Sequence, residues 1–307
     1  MRTATTAATM ENSVCGHMAE KFLKERQATL NSVLVKNGLR VEVRKVYKPG
    51  MGDKFGFEVH CIDGHLPIAP IVYYKPEWIL MNDRELTGII LDAVKQSEDF
   101  LISGIPEISR TGILENVLPR VLNDEHEEGM IREGIPFCQI GNLDLLAMYY
   151  MPFGDNGIVN ISNQILKDTE TSFKELQEAA SRNFRDQLVF RTLESAICNL
   201  TGEEEIQMES TLGLWVATTK SGKYGAGVLA VGMDLLRDFG KKLDTQKLII
   251  LPSSVHEILV MEDTGADTRE MAEMVREINF SVVPEGDVLS NSVYTVDLDQ
   301  GTIVCHK

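Results

Sequence analysis

Apolar residues recur every three to four positions along several stretches of the chain, the spacing that gives an α-helix one buried face. The first such stretch runs from Val14 to Leu34 and stops before Asn37-Gly38, a pair typical of a helix C-terminus. The same periodicity predicts further helices over Glu85–Phe100, Thr171–Ala180, Gln187–Asn199, Met233–Lys242 and a stretch capped by Thr268 that contains Met271, Met274, Val275 and Ile278.

Strand-like segments lie between these helices, either as alternating apolar and polar residues or as short apolar runs between turn residues. Leu39–Val43 and Phe55–Cys61 flank the glycine- and proline-containing stretch Lys48–Asp53, so they predict a β-hairpin with a wide loop. The other predicted strands are Ile113–Leu122, Leu143–Met151, Gly157–Ile161, Leu212–Thr218, Val228–Val231, Leu248–Leu251, Val255–Met261, Val293–Leu298 and Thr302–Val304. Turn signals at Asp155-Asn156-Gly157 and Asp299-Gln300-Gly301 predict hairpins at both places.

Hairpins mixed with amphipathic helices favour an α+β fold, with a mixed, largely antiparallel sheet and packed helices, over a doubly wound parallel sheet. Residues 1–10 are rich in Thr and Ala and predict a flexible N-terminal tail. Residues 11–307 predict one α+β globular region. A weak subdomain seam is predicted near 201–207, where Gly202-Glu203-Glu204-Glu205 interrupts the hydrophobic pattern.

The chain carries 30 basic and 46 acidic residues, which gives a formal charge of −16. This charge repels phosphate backbones and leaves no counterion release to drive binding, so direct nucleic-acid binding is not expected. An acidic surface suits a basic protein partner or mimicry of nucleic acid instead, although solubility alone also accounts for it. No stretch approaches the roughly 18 consecutive apolar residues of a spanning helix, so no membrane association is expected.

The five cysteines, Cys15, Cys61, Cys138, Cys198 and Cys305, are an odd number at wide and irregular spacings. No Cys-x-x-Cys pair suggests a zinc clip or a redox motif. The N-terminus also lacks the apolar run of a secretory signal. Reduced, packed thiols in a cytoplasmic protein are the expectation that follows.

Two strings are distinctive enough to suggest a family: Ile113–Asn123, which reads ILENVLPRVLN, and Ile250–Glu257, which reads ILPSSVHE. They resemble an uncharacterised bacterial domain of unknown function, number 5688, found mainly in anaerobic gut bacteria. Supporting stretches are Pro70–Tyr74, Gly225–Phe239, Met274–Asn279 and Val288–Ser290. The resemblance covers most of the chain from about Leu39 onward and matches least well over Arg182–Glu209. It implies a cytoplasmic bacterial protein but supplies no catalytic residue and no cofactor.

Ser253, Ser254 and His256 suggest a nucleophile and a base, because a serine needs an adjacent base to lose its proton during attack. The segment lacks a Gly-x-Ser-x-Gly elbow, and a Pro-Ser-Ser turn with a hydrogen-bonded histidine on the strand face of Ile258 and Val260 is the plainer interpretation. The string Ser253, Ser254, His256 and Glu257 nevertheless remains the best candidate for a functional surface.

Asp263 stands in Asp263-Thr264-Gly265 after an apolar strand, where aspartic proteases place their catalytic carboxylate. Those enzymes need two carboxylates that share a proton, and the chain has one such copy. A homodimer would have to supply the second. An acidic loop that leads into the helix at Thr268 explains the same residues.

Other motifs fit a cofactor or a metal poorly. Gly225-Ala226-Gly227-Val228-Leu229-Ala230 matches Gly-x-Gly-x-x-Ala, yet a strand is predicted directly after its glycines, so backbone freedom between two strands is the preferred interpretation. His60, Cys61 and His65 approach a metal cluster, but adjacent strand residues point to opposite faces. We therefore predict no cofactor and no metal.

An intact fold pattern without a convincing catalytic set favours a non-enzymatic intracellular binding or accessory protein. Sheet edges and the aromatic residues Tyr73, Tyr74 and Trp78 are candidate contact features for a protein partner, with core packing as the alternative. The rival hypothesis is a hydrolase that uses Ser254 and His256 or, with less support, Asp263.

Overall fold

The computed structural model of the chain describes residues 3–64, 69–102, 108–153, 157–201, 210 and 212–307. It divides into two compact units, Met1–Pro106 and Glu107–Lys307. Sequence analysis gave no sign of this boundary. The seam predicted near 201–207 lies outside the described residues except for Thr201, and the flexibility predicted for residues 1–10 stays a prediction, although a helix is present from Thr3.

The described residues of the first unit form two α-helices and one three-stranded antiparallel sheet. Its elements are α1 (Thr3–Leu34), β1 (Leu39–Lys48), β2 (Gly52–Cys61), β3 (Ile71–Tyr73) and α2 (Asp83–Ile102), with short 3-10 helices at Val35–Asn37 and Pro76–Leu80. β2 lies between β1 and β3. Gly38 ends the first helical segment with φ 70°, a left-handed conformation in which a Cβ would be strained. The predicted helix end is thus confirmed.

Both helices of this unit contribute to its hydrophobic core, together with the inward face of the hairpin. The core contains Leu23, Leu30, Leu34, Val41, Phe57, Val59, Trp78, Leu86 and Ile90. Trp78 is 2% exposed, and its ring stacks on Phe57 at a centroid distance of 6.3 Å. Core packing therefore accounts for this tryptophan, which sequence analysis also considered as a contact residue.

The second unit begins with α3 (Arg110–Asn116) and continues through β4 (Leu118–Asn123), α4 (Glu127–Arg132), β5 (Phe137–Gln139), β6 (Leu145–Phe153), β7 (Gly157–Asn160), α5 (Asn163–Asp168) and α6 (Phe173–Arg185). It ends with β8 (Leu188–Thr192), α7 (Leu193–Thr201), β9 (Leu214–Thr219), α8 (Val228–Val231), α9 (Met233–Leu243), β10 (Lys247–Leu251), β11 (Ile258–Glu262), α10 (Thr268–Ser281), β12 (Val293–Asp297) and β13 (Thr302–His306).

The strands that the structure describes in the second unit form two antiparallel sheets. In the smaller sheet, β6 pairs with β4 and also with β5 and β7. In the larger sheet the strand order is β13-β12-β10-β11-β9-β8. α9 packs on one face of the larger sheet, where Phe239 contacts the rings of Phe190 and Trp215, and α10 packs on the other, where Ala272 and Val275 meet Ile249.

The predicted α+β class is confirmed, with open, largely antiparallel sheets and packed helices. Among the described residues, no helix combines the length and the apolar character that a membrane crossing requires. Asp155 and Asn156 of the predicted Asp155-Asn156-Gly157 turn lie outside the described residues, and Gly157 is the first residue of β7. The flanking strands pair as expected.

Short apolar runs account for the wrong secondary-structure predictions. Ile113–Asn116 belongs to α3 rather than to a strand, and Val228–Val231 forms the single helical turn α8. The helix predicted from Gln187 is a strand until Thr192 and becomes helical only at Leu193. Periodicity cannot separate a strand from a helix over four or five apolar residues, so packing decides.

Candidate functional site

Pro252–Glu257 forms a loop between β10 and β11, and its serine hydroxyls hold that loop together. Ser253 Oγ donates to the Glu257 carbonyl oxygen at 2.9 Å. Ser254 Oγ accepts the backbone N–H groups of His256 at 3.1 Å and of Glu257 at 3.2 Å. Since β11 begins only at Ile258, the strand predicted from Val255 is wrong at its start. His256 therefore lies in a loop and not on a strand face.

The imidazole of His256 is engaged at both ring nitrogens. Nδ1 accepts the backbone N–H of Tyr224 at 3.3 Å, and Nε2 lies 3.3 Å from Asp287 Oδ1. An N–H donated to Nδ1 places the proton of the neutral ring on Nε2, which then donates to the Asp287 carboxylate. The ring therefore has no vacant lone pair with which to take a proton from Ser254. Ser254 and His256 are joined by the hydrogen bond from the His256 backbone N–H to the Ser254 hydroxyl, and the imidazole takes no part in it.

Tyr224, which sequence analysis did not single out, lies at the centre of an aromatic and cationic cluster. Its ring lies 4.8 Å from the Tyr150 ring, 5.1 Å from the His256 ring and 4.8 Å from Cζ of the buried Arg120. Its φ of 58° is unusual for a residue with a Cβ. The cluster combines strand residues of the smaller sheet with residues of two loops that adjoin the larger sheet, so no local sequence signal could have found it.

The Tyr150 hydroxyl in this cluster is held in its neutral form. Burial raises the pKa of Tyr150, and the neighbouring Tyr224 raises it further, while Arg120 opposes both effects. A raised pKa leaves less of the phenolate, which is the stronger nucleophile of the two forms. The cluster therefore offers packing and hydrogen-bonding groups around the loop and no activated nucleophile.

Asp144 joins the two sheets of the second unit. This carboxylate, directly before β6, accepts hydrogen bonds from Ser290 Oγ at 2.8 Å, from Ser292 Oγ at 2.9 Å and from the Tyr294 hydroxyl at 2.8 Å. Cys305 Sγ approaches the same carboxylate at 3.7 Å. A partly buried charge with this many donors is a structural anchor, because its bonding capacity is used within the protein.

Asp263 takes part in a tight turn rather than in a carboxylate pair. Its Oδ1 accepts the backbone N–H of Gly265 at 2.9 Å, and Gly265 has a φ of 88°. The predicted helix follows as α10, but Asp267 caps it, because its Oδ1 accepts the Arg269 N–H at 2.9 Å. Thr268 is the first helical residue. These contacts fit an acidic loop that starts a helix.

A groove of about 560 Å³ opens beside β6, α6 and α9. In its wall, Gln177 Nε2 donates to Cys138 Sγ at 3.4 Å, and the Tyr149 hydroxyl lies 3.7 Å from the same sulfur. Burial raises the pKa of Tyr149, and Cys138 raises it further. The groove is a largely apolar recess with a hydrogen-bonded thiol. The sequence pattern does not reveal it, because its residues come from separate elements.

One group of metal-ligating side chains occurs among the described residues, on the hairpin of the first unit. It consists of Glu42, Glu58 and His60, whose ligand atoms all lie within 4.8 Å of one another. Sequence analysis considered His60 with Cys61 and His65 instead. Cys61 is the next residue of β2, and His65 lies outside the described residues.

The last turns of α10 expose large apolar side chains. Phe280 is 95% exposed, and Met274, Ile278 and Val282 are also exposed. We call these four residues the α10 patch. Another side of the helix is fixed: Asn279 is buried, and its Nδ2 donates to the Ser290 carbonyl oxygen and to Asn291 Oδ1, each at 2.9 Å.

These features define an α+β protein with exposed apolar and hydrogen-bonded polar surfaces. The chain belongs to DUF5688, a family of unknown function, whose model matches residues 19–297. The resemblance inferred from the Ile113–Asn123 and Ile250–Glu257 strings is thereby confirmed. No curated protein and no solved structure matches the chain.

Proposed function

We propose that this chain is a non-enzymatic binding or accessory protein, and that the α10 patch binds a protein partner with a basic surface. The observation that carries the proposal is the exposure of Met274, Ile278 and Val282, which recur every four residues along one side of the helix end, with Phe280 exposed on another side. Apolar side chains scattered singly over a surface are ordinary, whereas a group of them marks an interaction site.

The energetics support a contact of this kind. Full burial of a phenylalanine side chain contributes about 2 kcal/mol, which corresponds to about a 30-fold change in a dissociation constant. Asn279 and the sheet packing of Val275 already hold the helix in place. A partner would therefore meet a rigid surface, and little conformational entropy would be lost there on binding.

Charge favours a basic partner. The exposed residues Glu270, Glu273 and Glu277 outnumber the exposed Arg269 and Arg276 on α10, and the whole chain has a formal charge of −16. Complementary charge steers the encounter of two proteins and raises the association rate, while the buried apolar centre supplies most of the affinity. Raised salt concentration should therefore slow association.

The hydrolase hypothesis has weaker geometric support. The contact of His256 with Asp287 resembles two members of a catalytic triad. In such a triad the other ring nitrogen faces the nucleophile, whereas His256 Nδ1 accepts the N–H of Tyr224. The hydroxyl of Ser254 accepts backbone N–H groups in the same loop.

We also propose that the protein works in the cytoplasm of a bacterium, of the kind found in the anaerobic gut. The sequence strings that resemble the family support this assignment, as do the free thiols of Cys138 and Cys305. Unpaired thiols are typical of reducing compartments.

Phe280→Ser tests the proposed function, with Ile131→Ser as the matched control, because Ile131 is an exposed apolar residue of α4 at 64% exposure. Immobilised wild type captures partners from a cytoplasmic extract, and each captured protein is then purified and titrated against all three chains. We expect Phe280→Ser to weaken the dissociation constant about 30-fold and Ile131→Ser to leave it unchanged. Equal affinity for all three chains, or no specific partner, would overturn the proposal.

A further inference from the structure

We propose that Glu42, Glu58 and His60 form a binding site for one Zn²⁺ ion on the face of the β1–β2 hairpin opposite its core. This site lies in the first unit and is independent of the function proposed for α10. Neither the position of His60 in the sequence nor its neighbour Cys61 suggests it, because the two glutamates reach it through strand pairing.

Strand register assembles the three side chains. Glu42 of β1 lies directly opposite Glu58 of β2, and His60 follows two residues along β2, on the same face. Val41, Phe57 and Val59 point to the opposite face, into the core. Two carboxylates directly opposite each other on neighbouring strands repel, so a cation between them is favourable.

The distances are close to those of a tetrahedral zinc site. His60 Nε2 lies 3.2 Å from Glu58 Oε2 and 4.0 Å from Glu42 Oε2. Zinc bonds of about 2.0–2.2 Å at tetrahedral angles separate two ligand atoms by about 3.4 Å. The strands hold the three backbone positions, so rotation of the Glu42 side chain, which is 44% exposed, is enough to complete the set.

Two arginines supply the compensating charge in the absence of zinc. Arg44 Nε lies 2.6 Å from Glu58 Oε2, and Arg40 Nη1 lies 3.3 Å from Glu42 Oε1. Both guanidinium side chains are 57% exposed. Ion pairs at such exposure contribute little stability, so zinc displaces Arg44 at small cost. Arg44 thus competes with zinc for Glu58, so removal of Arg44 should change the affinity for zinc.

The ligand chemistry selects the metal. Calcium and magnesium prefer oxygen ligands only, whereas one imidazole nitrogen with two carboxylate oxygens suits zinc. Three protein ligands leave the fourth tetrahedral position to water or to a ligand atom from another molecule. His60 supplies the imidazole, and Glu42 and Glu58 supply two negative charges that neutralise one divalent ion.

Calorimetric titration of untagged, full-length protein with ZnCl₂ tests the site, and titration with CoCl₂ reports coordination through the visible absorption of tetrahedral cobalt. We expect one high-affinity ion per chain. His60→Asn and Glu58→Gln should each weaken that affinity by at least about 100-fold, since loss of even an outer-shell partner weakens metal binding about 10- to 100-fold. Glu25→Gln, an exposed change in the same unit, should leave it unchanged.

Arg44→Gln keeps the proposal falsifiable if a ligand variant fails to fold. Because Arg44 competes for Glu58, its removal should tighten zinc binding. Weaker binding in Arg44→Gln would overturn the proposal. So would unchanged affinity in a folded His60→Asn variant, a cobalt complex without the tetrahedral absorption, or no zinc binding to the wild type.

Discussion

The Tyr294 hydroxyl donates a 2.8 Å hydrogen bond to Asp144 Oδ1, and this contact ties the larger sheet of the second unit to the smaller one. A hydrogen bond to a charged acceptor contributes about 2 kcal/mol. Tyr294→Phe should lower the free energy of unfolding by about that amount, and Asp144→Asn by about 3 kcal/mol because it weakens several bonds. Urea unfolding monitored by circular dichroism measures both.

The double variant provides the control for this prediction. If the two residues act through one contact, their combined cost should fall short of the sum of the single costs by about 1 kcal/mol. Strict additivity would show that the hydroxyl and the carboxylate stabilise the unit independently, which would contradict the anchor described here.

The pH dependence of stability should report the same anchor. Burial by itself would raise the pKa of Asp144, but hydrogen bonds from Ser290, Tyr294 and Ser292 outweigh burial and hold the pKa below its ordinary value of 3.8. A lowered folded-state pKa stabilises the protein above the unfolded-state pKa, and that contribution is lost as pH falls through the folded-state value.

The stability difference between wild type and Asp144→Asn should therefore be constant from pH 7 to about pH 5 and shrink below about pH 4. Other carboxylates titrate in both proteins and cancel in the difference. Urea unfolding at pH 7, 5 and 3 measures it. A difference that is as large at pH 3 as at pH 7 would rule out the ionised carboxylate as its source.

Gly225 should be intolerant of a side chain for steric reasons. A Cβ at this position would lie 2.4 Å from Thr218 Cα and 2.8 Å from the His256 carbonyl oxygen, both backbone atoms. We expect Gly225→Ala to destabilise the protein by about 3 kcal/mol, since the backbone around it must shift. Thermal and urea unfolding provide the measurement.

Gly222→Ala is the matched control, because a Cβ there would meet nothing within 4 Å although its φ is 69°. It should cost only about 1 kcal/mol, the strain of a left-handed alanine. If Gly222→Ala proved the more costly change, the close contacts of position 225 with β9 and with the Pro252–Glu257 loop would not explain why Gly225 is a glycine.

Ser254→Ala should affect stability rather than turnover. The variant loses the acceptor for the N–H groups of His256 and Glu257, which should lower the free energy of unfolding by about 1 kcal/mol, whereas Ser254→Thr keeps that acceptor. Unfolding curves and assays with activated esters are run in parallel. Ester turnover in the wild type that Ser254→Ala abolishes while it stays folded would support the hydrolase hypothesis instead.

Sequence periodicity predicted the long elements well because their signals extend over many residues. The helix that ends at Gly38 and the hairpin around Asp299-Gln300-Gly301 both appear where expected. Val228–Val231 was predicted wrongly because four apolar residues fit a strand and a helix equally, and packing against neighbouring elements selected the helical turn.

The candidate sites were less predictable because they depend on contacts between distant residues. Tyr224 meets Arg120 and Tyr150 only once two sheets have packed. The pairing of Glu42 with Glu58 was within reach of the sequence. A tight loop at Pro49–Met51 fixes the register of β1 and β2. The sequence predicted a wide loop there, and a wide loop leaves the alignment of the two strands open.

Asp144 also imposes an order on how the chain can fold. The Ser290 hydroxyl and the Cys305 thiol, which contact this carboxylate, lie 146 and 161 residues further along the chain. During synthesis this carboxylate stays solvated until those residues have left the ribosome. The contacts within Met1–Pro106 can form before that point. Such long loop closures slow folding, so the junction of the two sheets should be among the last structures to form on a nascent chain.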